Sequence, residues 1–228
     1  MNLKITYLLI FISVGICSGN NLKVENVELK EQNSANNTVK VEFDISWENS
    51  WRTNSGPKNY DAAWIFIKYR TNSGPWTHAR LEYSNGINDG HTAPSGSTIH
   101  TASDQTGCFI FRSQNGSGNN DWDNVQLLWD YNYLDDNAQV DVQVFAIEMV
   151  YIPEEAFYLG GGSGDEGNKF HRYPSSSTSY QVTSEAAITI GTTSGNLYYN
   201  ETVGNGGDQT GSLSASFPKG FGAFYSTK

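Results

Sequence analysis

The stretch Thr38–Trp47 constrains this chain more than any other. Val39, Val41, Phe43, Ile45 and Trp47 alternate with Lys40, Glu42, Asp44 and Ser46. Side chains two positions apart share a face only in an extended strand, so the pattern predicts a strand with one dry face and one wet face. No segment shows a sustained apolar period of 3.6 residues, so helices have no comparable claim on the chain.

The remaining strand signals follow the same logic. Leu22, Val24, Val27 and Leu29 alternate but skip one position, as a β-bulge would cause. Ala62–Arg70 is apolar on both faces and predicts a central strand, with Trp76–Tyr83 as its partner across a tight turn. Cys108–Arg112, Asn124–Tyr131 and Val140–Ile147 read as further strands, with Ser84–Gln105 and Ser113–Asp123 as long loops. About seven short strands over residues 21–148 fit an all-β fold built as an immunoglobulin-like β-sandwich. Trp47, Trp64 and Trp129 are expected in its core.

Asn-Ser-Gly-Pro turn chemistry occurs twice, because Arg52–Pro57 and Arg70–Pro75 both read RTNSGP. After Ile152 the composition changes. Gly160–Pro174 and Gly204–Gly211 are Gly-rich, Ser175–Ser184 is rich in Ser and Thr, and only weak strands are expected near Ala187–Ile190 and Leu197–Tyr199. Residues 153–228 carry too little apolar surface to predict an independent domain.

The N-terminus reads as a leader. Lys4 precedes the apolar run Ile5–Val14, which is too short to span a bilayer, and Gly15–Gly19 offers small residues for cleavage near Gly19. A lipoprotein reading would anchor the chain through Cys17, but Ile16 stands where a small residue is expected. The expected location is therefore secreted or cell-envelope, periplasmic or extracellular, with no transmembrane segment in the mature chain. A net charge of -10 with no basic cluster argues against nucleic acid as a partner, because phosphate binding is driven by Lys and Arg. Removal of the leader leaves Cys108, within an apolar β-like run, as the one cysteine; it is expected to be a buried small hydrophobe.

Catalytic patterns are missing. His78, His91, His100 and His171 have no helical metal-ligand spacing, and Gly160–Gly164 is not followed by a phosphate-cradling helix. Two acidic stretches are candidates for calcium: Asn119, Asn120, Asp121 and Asp123 in one loop, and Asp165 with Glu166 in the Gly-rich tract. Trp51, Trp76, Trp122 and Tyr131 lie in or beside expected loops and are candidates for a carbohydrate platform, since sugar faces stack on exposed rings.

Met149–Gly162, reading MVYIPEEAFYLGGG, resembles the opening of the formylglycine-generating enzyme family, also called sulfatase-modifying factors. Met149, Val150, Ile152, Pro153, Phe157 and Gly160 match its Met-Val-x-Ile-Pro and Phe-x-x-Gly runs. Phe217–Lys228 resembles the next family strand, and Ala62–Arg70 with Asn124–Tyr133 resembles the β-rich extension of exported Bacteroidota-type members. After the signal peptide at 1–19 and the β-sandwich at 20–148, the resemblance implies at 149–228 the incomplete, loop-rich start of a C-type-lectin-like domain. It also implies copper chemistry in the members that oxidise a sulfatase cysteine, and iron in others. The cysteines of that chemistry belong to a C-terminal part that this sequence does not include, so the chain is expected to carry no such cofactor and to be inert as it stands. The alternative is a stand-alone extracellular module that binds a glycan or a protein.

Overall fold

A computed structural model describes residues 20–132, 134–160, 170–175, 177–198 and 210–228. The described residues form an all-β, curled half-barrel. Its strands are β1 (Lys23–Asn33), β2 (Thr38–Arg52), β3 (Tyr60–Thr71), β4 (Thr77–His78), β5 (Arg80–Leu81), β6 (Ser97–Thr101), β7 (Cys108–Arg112), β8 (Gly116–Asp130) and β9 (Val140–Ile152). Short strands follow: β10 (Phe157–Tyr158), β11 (His171–Arg172), β12 (Gln181–Val182), β13 (Ile188–Ile190), β14 (Leu197–Tyr198), β15 (Gly211–Leu213) and β16 (Phe224–Thr227).

Hydrogen bonds link β1–β9 and β16 into one sheet along the path β16-β9-β3-β2-β8-β5, with β1 on β2, β4 and β7 on β3, and β6 on β7. All these pairings are antiparallel. The β2–β3 link is a single register pair, Arg52↔Tyr60, and there the sheet folds over on itself. The concave side holds the core. Val39, Val41, Phe43, Ile45 and Trp47 from β2 meet Ala63, Ile65 and Ile67 from β3 and Val125, Leu127 and Trp129 from β8, each at most 6% exposed. The alternation that defines β2 in the sequence is thus its core face. β3 lies inside the sheet, as its doubly apolar pattern predicts.

Local details also follow from the sequence. The β1 register slips between Glu25 and Glu28, and Asn26 takes a φ of 54° there, which is the expected bulge. The two RTNSGP copies leave β2 and β3 but turn differently. In the first, Gly56 takes positive φ (73°) and the Thr53 hydroxyl donates to the Ser55 carbonyl (2.7 Å). In the second, Asn72 and Ser73 both take positive φ, 49° and 57°, and the Gly74 N–H closes on the Thr71 carbonyl at 2.8 Å, as in a type I′ turn.

Four expectations meet a different outcome. Ser113–Asp123 is mostly strand, because β8 from Gly116 onward pairs along β2 as far as Arg52. The Ser84–Gln105 loop contains β6, which pairs fully with β7. Trp64 is half-buried on the convex side, not in the core. The boundary expected between 148 and 149 falls inside β9, and β16 returns to pair with the end of that strand: Met149↔Thr227, Val150↔Ser226, Tyr151↔Tyr225 and Ile152↔Phe224. Between them, β11, β13, β14 and β15 make a small second sheet over Val182, Ile188 and Leu197. Cys17 and the rest of the leader lie outside the described residues. No helix among the described residues is long and apolar enough to cross a membrane.

Candidate functional site

The carbohydrate candidates do not converge. Trp122 is 8% exposed and packs edge-on against Trp47, with ring centroids 5.1 Å apart, so it is a core residue. Trp76 sits beyond the β3 turn beneath the Arg70 guanidinium, 4.7 Å from its ring. Trp51 is half-buried at the end of β2, its indole N–H donating to Asn59 Oδ1 at 3.1 Å. Tyr131 is buried at the far end of β8, its hydroxyl donating to Asp136 Oδ1 (2.9 Å) and accepting from Gln32 Nε2 (3.0 Å). There it helps line a recess of about 190 Å³ whose walls mix apolar residues such as Leu29, Trp129 and Val140 with the charged Lys30, Glu31 and Asp136.

The first calcium candidate is spread out in the same way. Asp121 and Asp123 are exposed on β8, while strand alternation turns Asn120 inward, 2% exposed, with its Nδ2 donating to Ser50 Oγ at 2.9 Å. A strand separates successive outward residues by about 6.8 Å, which lays these oxygens along a line rather than around an ion. Among the described residues no three His, Cys, Asp or Glu side chains are grouped to hold a metal. Asp165 and Glu166 lie outside the described residues.

Two other features are assembled by the fold. The first is the convex face of β3, β9, β7 and β16. Tyr60 stacks on Tyr151 (4.6 Å, 17°), Tyr225 on Phe109 (3.6 Å, 8°), and Phe66 on both Phe145 (5.1 Å, 10°) and His78 (5.8 Å, 12°). Trp64 leans on Phe109 at 4.7 Å. Phe145 and Ile147 are 41% and 45% exposed. Other pairs meet edge-on or tilted, as Tyr225 does with Tyr60 (77°) and Tyr151 (60°). Within this face the hydroxyls of Tyr60 and Tyr225 pair at 3.1 Å, and burial raises the pKa of both phenols.

The second feature is a buried polar cluster on the concave side, where β2, β3, β9 and the chain after β16 meet. Asp61 is 0% exposed and accepts from Trp47 Nε1 (2.7 Å), Ser50 Oγ (2.7 Å) and the Trp51 N–H (3.0 Å). Ser50 Oγ in turn accepts from Arg112 Nε at 2.9 Å. Lys228 Nζ lies 2.6 Å from Glu148 Oε1 and 3.7 Å from Asp61 Oδ2. Neither feature was visible as a site in the sequence. Their residues come from distant strands, and the only available signal was the doubly apolar Ala62–Arg70 run.

Cys108 is fully buried at the interior end of β7, and burial pushes its thiol well above its ordinary value. His91 is buried beneath β8. Burial lowers it to about 4 against the opposing pull of Asp89, and its Nδ1 accepts the Leu128 N–H at 2.8 Å, which assigns the proton to Nε2. Burial would raise Asp89, yet N–H and O–H donors from Asn85 and Ser84 outweigh it and hold the carboxyl at about 2. Both groups brace the loop before β6. Comparison with family models, with curated proteins and with solved structures finds no match to this chain.

Proposed function

We propose that the chain is the non-catalytic N-terminal region of an exported sulfatase-modifying-factor-like protein. Its immunoglobulin-like part would run from residue 20 into β9 (Val140–Ile152), and the opening of its C-type-lectin-like domain would continue from the end of that strand. One observation carries this reading. The two segments that bear the resemblance, Met149–Gly160 and Phe217–Lys228, are far apart in sequence but adjacent in space through the β9–β16 ladder. That adjacency supports a domain opening with a long insertion between its first two strands. Any copper would then belong to cysteines outside this sequence, and any iron to other residues outside it.

Reading the gene past the Lys228 codon tests the proposal. A continuation through a Tyr-Glu-x-Thr-like segment into a domain with a cysteine pair is the expected result; an immediate stop overturns it. The chain alone, supplied with copper, is expected to leave the cysteine of a sulfatase-type peptide unoxidised. Turnover would overturn the non-catalytic part.

The exposed apolar convex face favours a second reading, a stand-alone module that binds an extracellular polypeptide. Phe145→Asp is expected to abolish such binding while leaving the fold intact, because Phe145 is one of the most exposed members of the face. A glycan bound undiminished by this variant would exclude the convex face as the site.

A further inference from the structure

We propose that Asp61, Glu148 and Trp51 form a socket for a primary alkylammonium group, filled here by Lys228, and that a lysine side chain on a partner polypeptide is the ligand class it accepts when Lys228 is withdrawn. The proposal is independent of the family reading, since it rests on the side chains of the cluster alone.

Three walls define the socket. The Glu148 carboxylate receives Lys228 Nζ at 2.6 Å, and its Oε1 is steered by Asn20 Nδ2 at 2.7 Å. The Asp61 carboxylate lies on a second side, 3.7 Å from Nζ. The Trp51 ring closes the third, its centroid 4.6 Å from the ammonium. The other donors to Asp61 are the neutral Trp47, Ser50 and Trp51 groups, so Lys228 brings the nearest positive charge to a fully buried carboxylate. Burying a carboxylate without a countercharge is strongly unfavourable, which gives the socket its demand for a cation.

The walls also select the kind of cation. A divalent metal ion needs six or more oxygens, and the indole face offers none. A guanidinium asks for a flat, two-pronged carboxylate, whereas here one oxygen from each of two carboxylates faces a compact charge. An ammonium has three donors on a point charge and is attracted to the indole face. The N–H of Lys228 also bonds the Glu148 carbonyl at 3.2 Å, so the socket and the β16–β9 ladder hold the same strand end. Filling the socket therefore straps β16 onto β9.

The test is chemical rescue. Lys228→Ala and Lys228→Met should each lower Tm by about 3–8 °C. Addition of n-butylammonium chloride should recover most of that loss, and the tripeptide Gly-Lys-Gly should do the same, whereas n-butanol and equimolar sodium chloride should not. Adding Glu148→Gln to Lys228→Ala should raise the concentration needed for half-rescue about tenfold or more. An unchanged Tm in both single variants, no rescue by n-butylammonium, or equal rescue by sodium chloride overturns the socket. Rescue by n-butylammonium without rescue by Gly-Lys-Gly overturns the polypeptide ligand.

Discussion

The half-barrel of residues 20–152 and the stretch from Pro153 to Ala223 solve the same problem by different means. In the half-barrel, long strands alternate between their bulges and bury their inward side chains; Val41, Phe43, Ile65, Ile67, Val125 and Leu127 are all 0% exposed. Among the described residues of the later stretch, only Val182, Ile188 and Leu197 form a buried cluster, and Tyr158 and Phe217 stay 64% and 59% exposed. Hydrogen bonds from side chains to backbone take over. Glu185 accepts the N–H groups of Lys219, Phe221 and Gly222 at 2.6, 2.8 and 2.9 Å, and Ser175 Oγ accepts the Thr178 N–H at 3.0 Å. Long strands let apolar area hold a fold; short ones leave it to polar anchors.

The comparison can be broken by mutation. Trp129→Ala should cost about 3–5 kcal/mol and unfold the sheet as a unit, read by urea denaturation followed by tryptophan fluorescence. Leu197→Ala should cost about 2 kcal/mol, at the low end for such a truncation, because its cluster is small and partly covered. Its first effect should be faster proteolysis between Pro153 and Ala223. Equal costs for the two variants would erase the distinction.

Acid sharpens it. The folded pKa of His91, about 4, lies below its ordinary value of 6.5, so the unfolded chain binds the proton more readily. The stability that His91 contributes as a neutral group is complete above pH 6.5 and is lost as pH falls toward 4, by about 1.4 kcal/mol per pH unit. Glu185 has its carboxyl lowered below 4.5, first by the Gly222 N–H and next by that of Lys219, so its contribution begins to fail only below about that pH. Hydrogen exchange across pH 7 to 4 should therefore show the loop around His91 weakening before the segment 219–222. In His91→Gln the early slope should vanish.

Gly107 marks how tightly the half-barrel closes. A Cβ there would stand 2.5 Å from both the Ile65 carbonyl oxygen and the Trp64 ring, so Gly107→Ala should cost about 1–3 kcal/mol, measured by thermal melting. The smallest effect contrasts the twin hexapeptides. Ser73→Gly relieves a positive φ and should stabilise by about 0.5–1 kcal/mol, whereas Ser55→Gly, with no positive φ to relieve, should destabilise slightly.

The strands most legible in the sequence were those whose burial is local in origin. β2 and β9 declare their inward faces by alternation, Cys108–Arg112 coincides with β7, and the skipped position in β1 is a bulge at Asn26. β8 was half hidden. Its first residues, Gly116–Asp121, have turn chemistry, and they are strand because β2 offers them a continuous edge. The sites were less legible still. A ring near a turn in sequence need not be exposed, and the fold puts Trp122 in the core.

By itself the sequence determined the all-β class, the inward faces of the long strands and the turns at both RTNSGP copies, because each depends on neighbours a few residues away. Only the tertiary structure decided that Asp61, Glu148 and Lys228 share one cluster, that β16 closes onto β9, and that rings from β3, β7, β9 and β16 stack on the convex face. Those outcomes depend on which strands become neighbours when the sheet folds over at Arg52 and Tyr60, and periodicity along one strand carries no information about its partner.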